Sequence, residues 1–241
     1  RYNYIPLAET FEVFLDTTRE AFGSPVEIEF ALILPTRGHA RATLSVLQIK
    51  PIGRENEARE IRISDQKDDD VIVYSEKALG KGTFAGLNDI VVVDPASFKR
   101  FKSVDITGEI EYLNMKMVKK NRRYILIGPG RWGTRERHLG IPVSWNQISN
   151  AKVIVEISPS SYPIEASLGS HFFHNLTMLN IGYLAVREEM DDGTFNGPLL
   201  EKQRCVEKTD HCSHFHFADP LHVAINGKTR HGIVALAKEH G

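Results

Sequence analysis

The sequence predicts a mixed α/β fold in two parts: a small helix-strand-strand unit and, after it, a larger α/β domain with a mixed sheet. Three observations point there. The first fifty residues hold one amphipathic helical period and then two strand-like runs. A charged stretch ending in Lys67-Asp68-Asp69-Asp70 interrupts the apolar pattern. Beyond it, short runs rich in Val and Ile alternate with a helical period, the signature of α/β organisation.

Leu7, Phe11, Phe14, Leu15, Thr18 and Phe22 recur at helical spacing, and Gly23 with Pro25 ends that helix. Val26 to Leu34 and Thr43 to Ile49 read as strands joined by a polar turn around Pro35 to His39. This unit is too small to bury a core of its own. Val71 to Ser75 and Ile90 to Val93 are the next strands, and Asp94-Pro95 breaks the second. Ile106, Ile110, Leu113 and Met117 mark a helix face; Tyr124 to Ile127, Val153 to Ile157 and Tyr183 to Val186 are buried strands. A short helix starts near Ser170, and Ser213 to Ala237 forms two or three strands around the Asn226-Gly227 turn. The domains expected are residues 1–52 and 53–241.

Composition removes several function classes. With 30 basic and 31 acidic residues in 241, no long-range field draws the chain to nucleic acid or an anionic membrane. No apolar stretch has the length of a membrane span, and no signal-peptide layout opens the chain. Two cysteines, Cys205 and Cys212, make no disulfide framework, so a cytoplasmic setting is expected. The start at Arg1 suggests an excised fragment.

The most informative motif is the strand Tyr124 to Ile127 running into Gly128-Pro129-Gly130-Arg131-Trp132-Gly133. Three glycines let the backbone adopt positive φ or approach a ligand, Arg131 offers a forked cation and Trp132 a flat apolar wall. Such a turn suits a phosphate or carboxylate on a larger ligand. It equally suits a tight strand exit with Arg131 in a surface ion pair and Trp132 in the core. In the first unit, Glu27 and Glu29 share one strand face, and Gln48 and Lys50 repeat that spacing on the next strand. Carboxylate, amide and ammonium on one surface suit a magnesium-bound polyphosphate, or form a solvated face of cross-strand pairs. Ser170 can cap a helix whose first turn holds His171, placing an acid, base or phosphate ligand at a positive helix end. We expect the Gly128 to Gly133 turn and this helix start to share one pocket, lined by Arg131 and His171. His211, His214 and His216 with Cys212 resemble a metal cluster, but only His214 and His216 share a strand face, and a pair on an edge strand is the simpler reading. Gly80-Lys81-Gly82-Thr83 lacks the spacing of a phosphate-binding P-loop, and no Gly-x-Ser-x-Gly elbow is present.

Val26-Glu27-Ile28-Glu29-Phe30-Ala31 followed by Leu47-Gln48-Ile49-Lys50-Pro51 resembles the closing strands of the ATP-grasp domain of phosphoenolpyruvate (PEP) synthase and pyruvate phosphate dikinase. The resemblance implies that Glu29 and Gln48 help hold Mg-ATP, with Lys50 where the family carries arginine. The rest is similar to the extension of large PEP synthase-like, PEP/pyruvate-binding proteins, through Ala78 to Gly82, Asp89 to Val93, Ile125 to Gly133, Leu139 to Trp145, Ala151 to Glu156 and Gly169 to Asn175. It implies a fragment of an ATP-dependent pyruvate phosphotransferase, inactive alone: the tail of an ATP-grasp domain and an appended α/β domain that meets the parent chain's other domains. The dikinase phosphohistidine precedes a Gly-Ile-Pro segment, whereas His171 follows Gly140-Ile141-Pro142, so His171 is not assigned as a phosphocarrier. The competing class is a non-catalytic regulatory module in which Arg131, Trp132 and His171 hold a small phosphorylated or carboxylate ligand. A structural scaffold is the third.

Overall fold

The computed structural model describes residues 6–22, 26–34, 42–51, 68–94, 103–134, 136, 138–160, 163–164, 176 and 179–237. The chain divides into two compact units, Arg1–Glu57 and Ala58–Gly241, where the sequence reading places the break after Ile52.

In the first unit, helix α1 (Leu7–Phe22) precedes an antiparallel hairpin of β1 (Val26–Ile33) and β2 (Thr43–Pro51). Period-two alternation sends Val26 and Ile28 to one face and Glu27 and Glu29 to the other. Phe11 and Phe30, with ring centroids 4.4 Å apart, tie helix to hairpin. The register slips between Glu29 and Phe30: Glu29 opposes Gln48 and Phe30 opposes Val46, so Leu47 is the extra residue of a β-bulge.

The second unit is layered. A seven-stranded mixed sheet is built on four parallel strands, β6 (Asp89–Val93), β7 (Tyr124–Pro129), β10 (Ala151–Ser158) and β11 (Gly182–Arg187), lying side by side in chain order. Antiparallel strands flank them: β4 (Lys77–Leu79) on β11, and β14 (Cys212–His216) with β13 (Cys205–Lys208) on β6. Helix α2 (Ser103–Lys119) connects β6 to β7 and covers one face, packing Ile106, Ile110, Leu113 and Met117 against Val91, Val93, Leu126 and Ile154. The other face meets a five-stranded antiparallel sheet of β3 (Val71–Ser75), β5 (Gly82–Thr83), β12 (Gly193–Phe195), β15 (His222–Asn226) and β16 (His231–Ala235). There Ile90, Ile125, Ile127, Val153, Val155 and Leu184 pack on Ile72, Val223, Ile225 and Val234. Helix, sheet and second sheet thus enclose two apolar layers, and the central strands are apolar on both faces because both are covered.

The main strands and the helix that periodicity predicts for this unit are present. The helix start at Ser170 lies outside the described residues. The strands after Ser213 divide between sheets: β14 joins the mixed sheet, whereas β15 and β16 join the second one. This corrects the expectation for the histidine pair, because β14 lies between β13 and β6 and is no edge strand.

Candidate functional site

On the hairpin, Glu29 directly opposes Gln48, and directly opposed residues in an antiparallel pair project from the same face. Both are exposed. Glu27 opposes Lys50 in the same register. The bulge at Leu47 adjoins Gln48, a place where bulges re-aim side chains. Glu29 and Gln48 thus present oxygen ligands suited to a hard cation such as Mg²⁺. Among the described residues no group of three or more His, Cys, Asp or Glu gathers as a metal site.

The glycine turn folds differently from the expected anion cradle. Trp132 is 1% exposed and packs over Gly128, where a Cβ atom would lie 2.5 Å from the indole ring. Its indole N–H donates to the Val155 carbonyl at 3.0 Å, so Trp132 is core and forms no wall for a ligand. Gly130 takes φ +71°, turning the chain from β7 into β8 (Arg131–Trp132), which pairs in parallel with β9 (Gly140–Ile141). Four successive backbone N–H groups are then engaged internally. Gly130 donates to Ile157 O at 2.8 Å, Arg131 to Leu139 O at 2.8 Å and Gly133 to Ile141 O at 2.9 Å. Trp132 donates to Glu156 Oε1 at 3.0 Å. Glu156 is 4% exposed, and its other carboxylate oxygen accepts the Tyr183 hydroxyl at 2.6 Å. The turn does meet a carboxyl group, and that group is the protein's own. Three of the turn's N–H groups are thus spent on backbone carbonyls and one on Glu156, and Trp132 packs in the core, as in the strand-exit reading of this turn. Arg131 is half-exposed at the rim. Ser170 and His171 lie outside the described residues, and with them the expected convergence with Arg131.

Glu156 carried a sequence signal that motif reading passed over: a single carboxylate inside the apolar run Ala151–Ser158, and such a residue is rarely buried without partners. Asp89 is a second case, opening a strand of Ile and Val. It is 1% exposed and accepts from Arg122 Nε at 2.7 Å, from Arg122 Nη2 and from His214 Nε2 at 2.7 Å. His216 Nδ1 stands 3.2 Å from the same carboxylate and also contacts Arg122. Burial opposes ionisation of Asp89, but the hydrogen bonds from His214 and Arg122 and the guanidinium charge outweigh it and hold the carboxyl below its usual range. His214 and His216 do share a face, as period two requires, yet His214 Nε2 is engaged by Asp89 and His216 Nδ1 by Arg122. His211 belongs to a separate clamp: Glu109 of α2 accepts from the His211 ring and backbone N–H and from Thr209 Oγ1, pinning the turn between β13 and β14.

At the carboxyl ends of β7, β10 and β11, where parallel sheets commonly take ligands, lies a shallow, open cleft with room for about one water molecule. Gly130, Glu156, Ser158, Ile164 and Arg187 line it. Arg187 is held by Asp192, and the Ser158 hydroxyl oxygen accepts from Ile164 N–H at 2.7 Å. Among the described residues no helix is long and apolar enough to cross a membrane. Comparison with protein-family models, curated proteins and solved structures finds no match for this chain.

Proposed function

We propose that the chain is part of an ATP-dependent phosphotransferase of the PEP synthase and pyruvate phosphate dikinase kind, in which the β1–β2 hairpin forms one wall of a Mg-ATP site. The observation that carries this reading is the direct opposition of Glu29 and Gln48 on an exposed hairpin face beside the Leu47 bulge. Glu29 would supply a charged oxygen to Mg²⁺ and Gln48 a neutral one, and the resemblance adds Lys50 for the phosphates. Coulomb attraction to a doubly charged ion makes the carboxylate the stronger ligand of the two.

One wall of a cleft buries little of a nucleotide, so Mg-ATP binding by this chain is expected to be weaker than micromolar. The test is paramagnetic: Mn²⁺·ATP, in place of Mg²⁺·ATP, broadens amide resonances near the site. Broadening centred on residues 27–31 and 45–50, abolished in Glu29→Gln, supports the reading. Broadening elsewhere, or unchanged in Glu29→Gln, refutes it.

A further inference from the structure

Helix α2 is apolar on two sides. Its core face is fully committed to the sheet, yet Val104, Tyr112, Met115 and Val118 on other faces are 48%, 47%, 52% and 48% exposed. A helix apolar on opposite faces is one that expects cover on both. We propose that α2 packs antiparallel against α2 of a second copy of this chain, about a two-fold axis at Tyr112.

The pattern on the outer face is self-complementary, which an isologous contact demands. Asp105, Gly108, Tyr112, Met115 and Lys119 follow one another at spacings of three, four, three and four. At about 100° per residue they fall within an arc of roughly 80°, on the side of the helix away from Ile106, Ile110, Leu113 and Met117, and span about 21 Å. Reversing the helix about Tyr112 brings Asp105 of each copy to Lys119 of the other. It brings Met115 level with Glu109 and one helical rise, about 1.5 Å, from Gly108, where an added Cβ would meet nothing within 4 Å, an open notch for a flexible thioether. Tyr112 meets its own copy, its ring already held by Lys116 Nζ at 4.5 Å from the centroid. Val104 and Val118 fall on one flank, each close to the other in the second copy.

Charge selects the antiparallel sense. The first half of α2 carries Asp105, Glu109 and Glu111, the second Lys116 and Lys119. Glu109 is taken by His211 and Thr209, Lys116 by Glu207 and Glu111 by Gln147. Asp105 and Lys119 are both exposed, without a partner among the described residues, and lie at the two ends of the stripe. One helix pair buries less than the roughly 1,200 Å² of a standard interface, so the dimer is weak and reversible.

Sedimentation velocity on the whole chain, from about 10 µM to about 1 mM, covers the range in which so small an interface associates. The wild type is expected to show a concentration-dependent dimer. D105K and K119D each place like charges opposite one another twice, and each is expected to weaken association about tenfold or more. An equimolar mixture of the two variants sets opposite charges against each other at both ends of the stripe, and restores association. Unchanged thermal midpoints for both variants exclude misfolding as the cause. A wild type that stays monomeric overturns the proposal and leaves this face to another protein. So does a dimer indifferent to either swap, or a mixture that stays monomeric.

Discussion

Replacing Glu156 with alanine removes the acceptor of two buried donors at once, the Trp132 backbone N–H and the Tyr183 hydroxyl. Trp132 is 1% and Tyr183 0% exposed, so neither donor meets bulk water in the folded state. A buried donor left unsatisfied costs about 1–3 kcal/mol, giving about 2–6 kcal/mol for the pair. Glu156 borders the cleft at the strand ends, and water entering the vacated space brings the expected loss to about 2–4 kcal/mol. That is a large fraction of the roughly 5–15 kcal/mol that holds a domain folded. Glu156→Gln keeps one acceptor but turns an amide NH2 on the other donor, so about 1–3 kcal/mol is expected. The assay is urea unfolding at neutral pH followed by far-UV circular dichroism, with Tyr183→Phe closing a double-mutant cycle. Coupling between Glu156 and Tyr183 of about 1 kcal/mol or more is expected for contacting residues. The alanine variant also frees the Trp132 N–H, so added formate should raise its unfolding midpoint and leave the wild type unmoved. A loss below about 1 kcal/mol in Glu156→Ala, with no coupling, would show that this carboxylate does not anchor the glycine turn.

Two further outcomes rest on the buried titratable groups. Asp89 has a carboxyl held below its unfolded value of about 3.9, so its contribution is fully present above that pH and is lost as pH falls through the folded value. Asp89→Asn is expected to cost about 3–5 kcal/mol at neutral pH by stripping Arg122 and His214 of their buried partner, and to flatten the acid limb of a stability-pH profile; an unaltered acid limb would refute the assignment. Burial, reinforced by Glu109, pushes the Cys212 thiol up to about 12, while Cys205 is exposed. Iodoacetamide at mildly alkaline pH should therefore label Cys205 in the native protein and Cys212 only after unfolding, and equal labelling rates would contradict the burial of Cys212.

Local pattern alone determined α1, α2 and the longer strands, because an apolar run of five to eight residues or a 3.6-residue period states its own burial wherever it packs. The short strands β4, β5, β8, β9 and β12 are two or three residues long and carry no period; they exist only because a neighbouring strand offers its edge. The facing of Glu29 and Gln48 was legible for the same local reason, a short connection and a side-chain period of two. The fate of the glycine turn was not. Its glycines announce a backbone that can approach an acceptor closely, but which acceptor depends on β10 lying beside β7, which sets Glu156 opposite Gly128 in the ladder. Asp89, Arg122 and His214 are likewise far apart in the chain and meet only where β6, the start of β7 and β14 adjoin. Sequence thus settles what each segment can donate or bury, whereas long-range strand pairing settles who receives it, since a buried charge takes whichever partner the fold brings within about 3 Å.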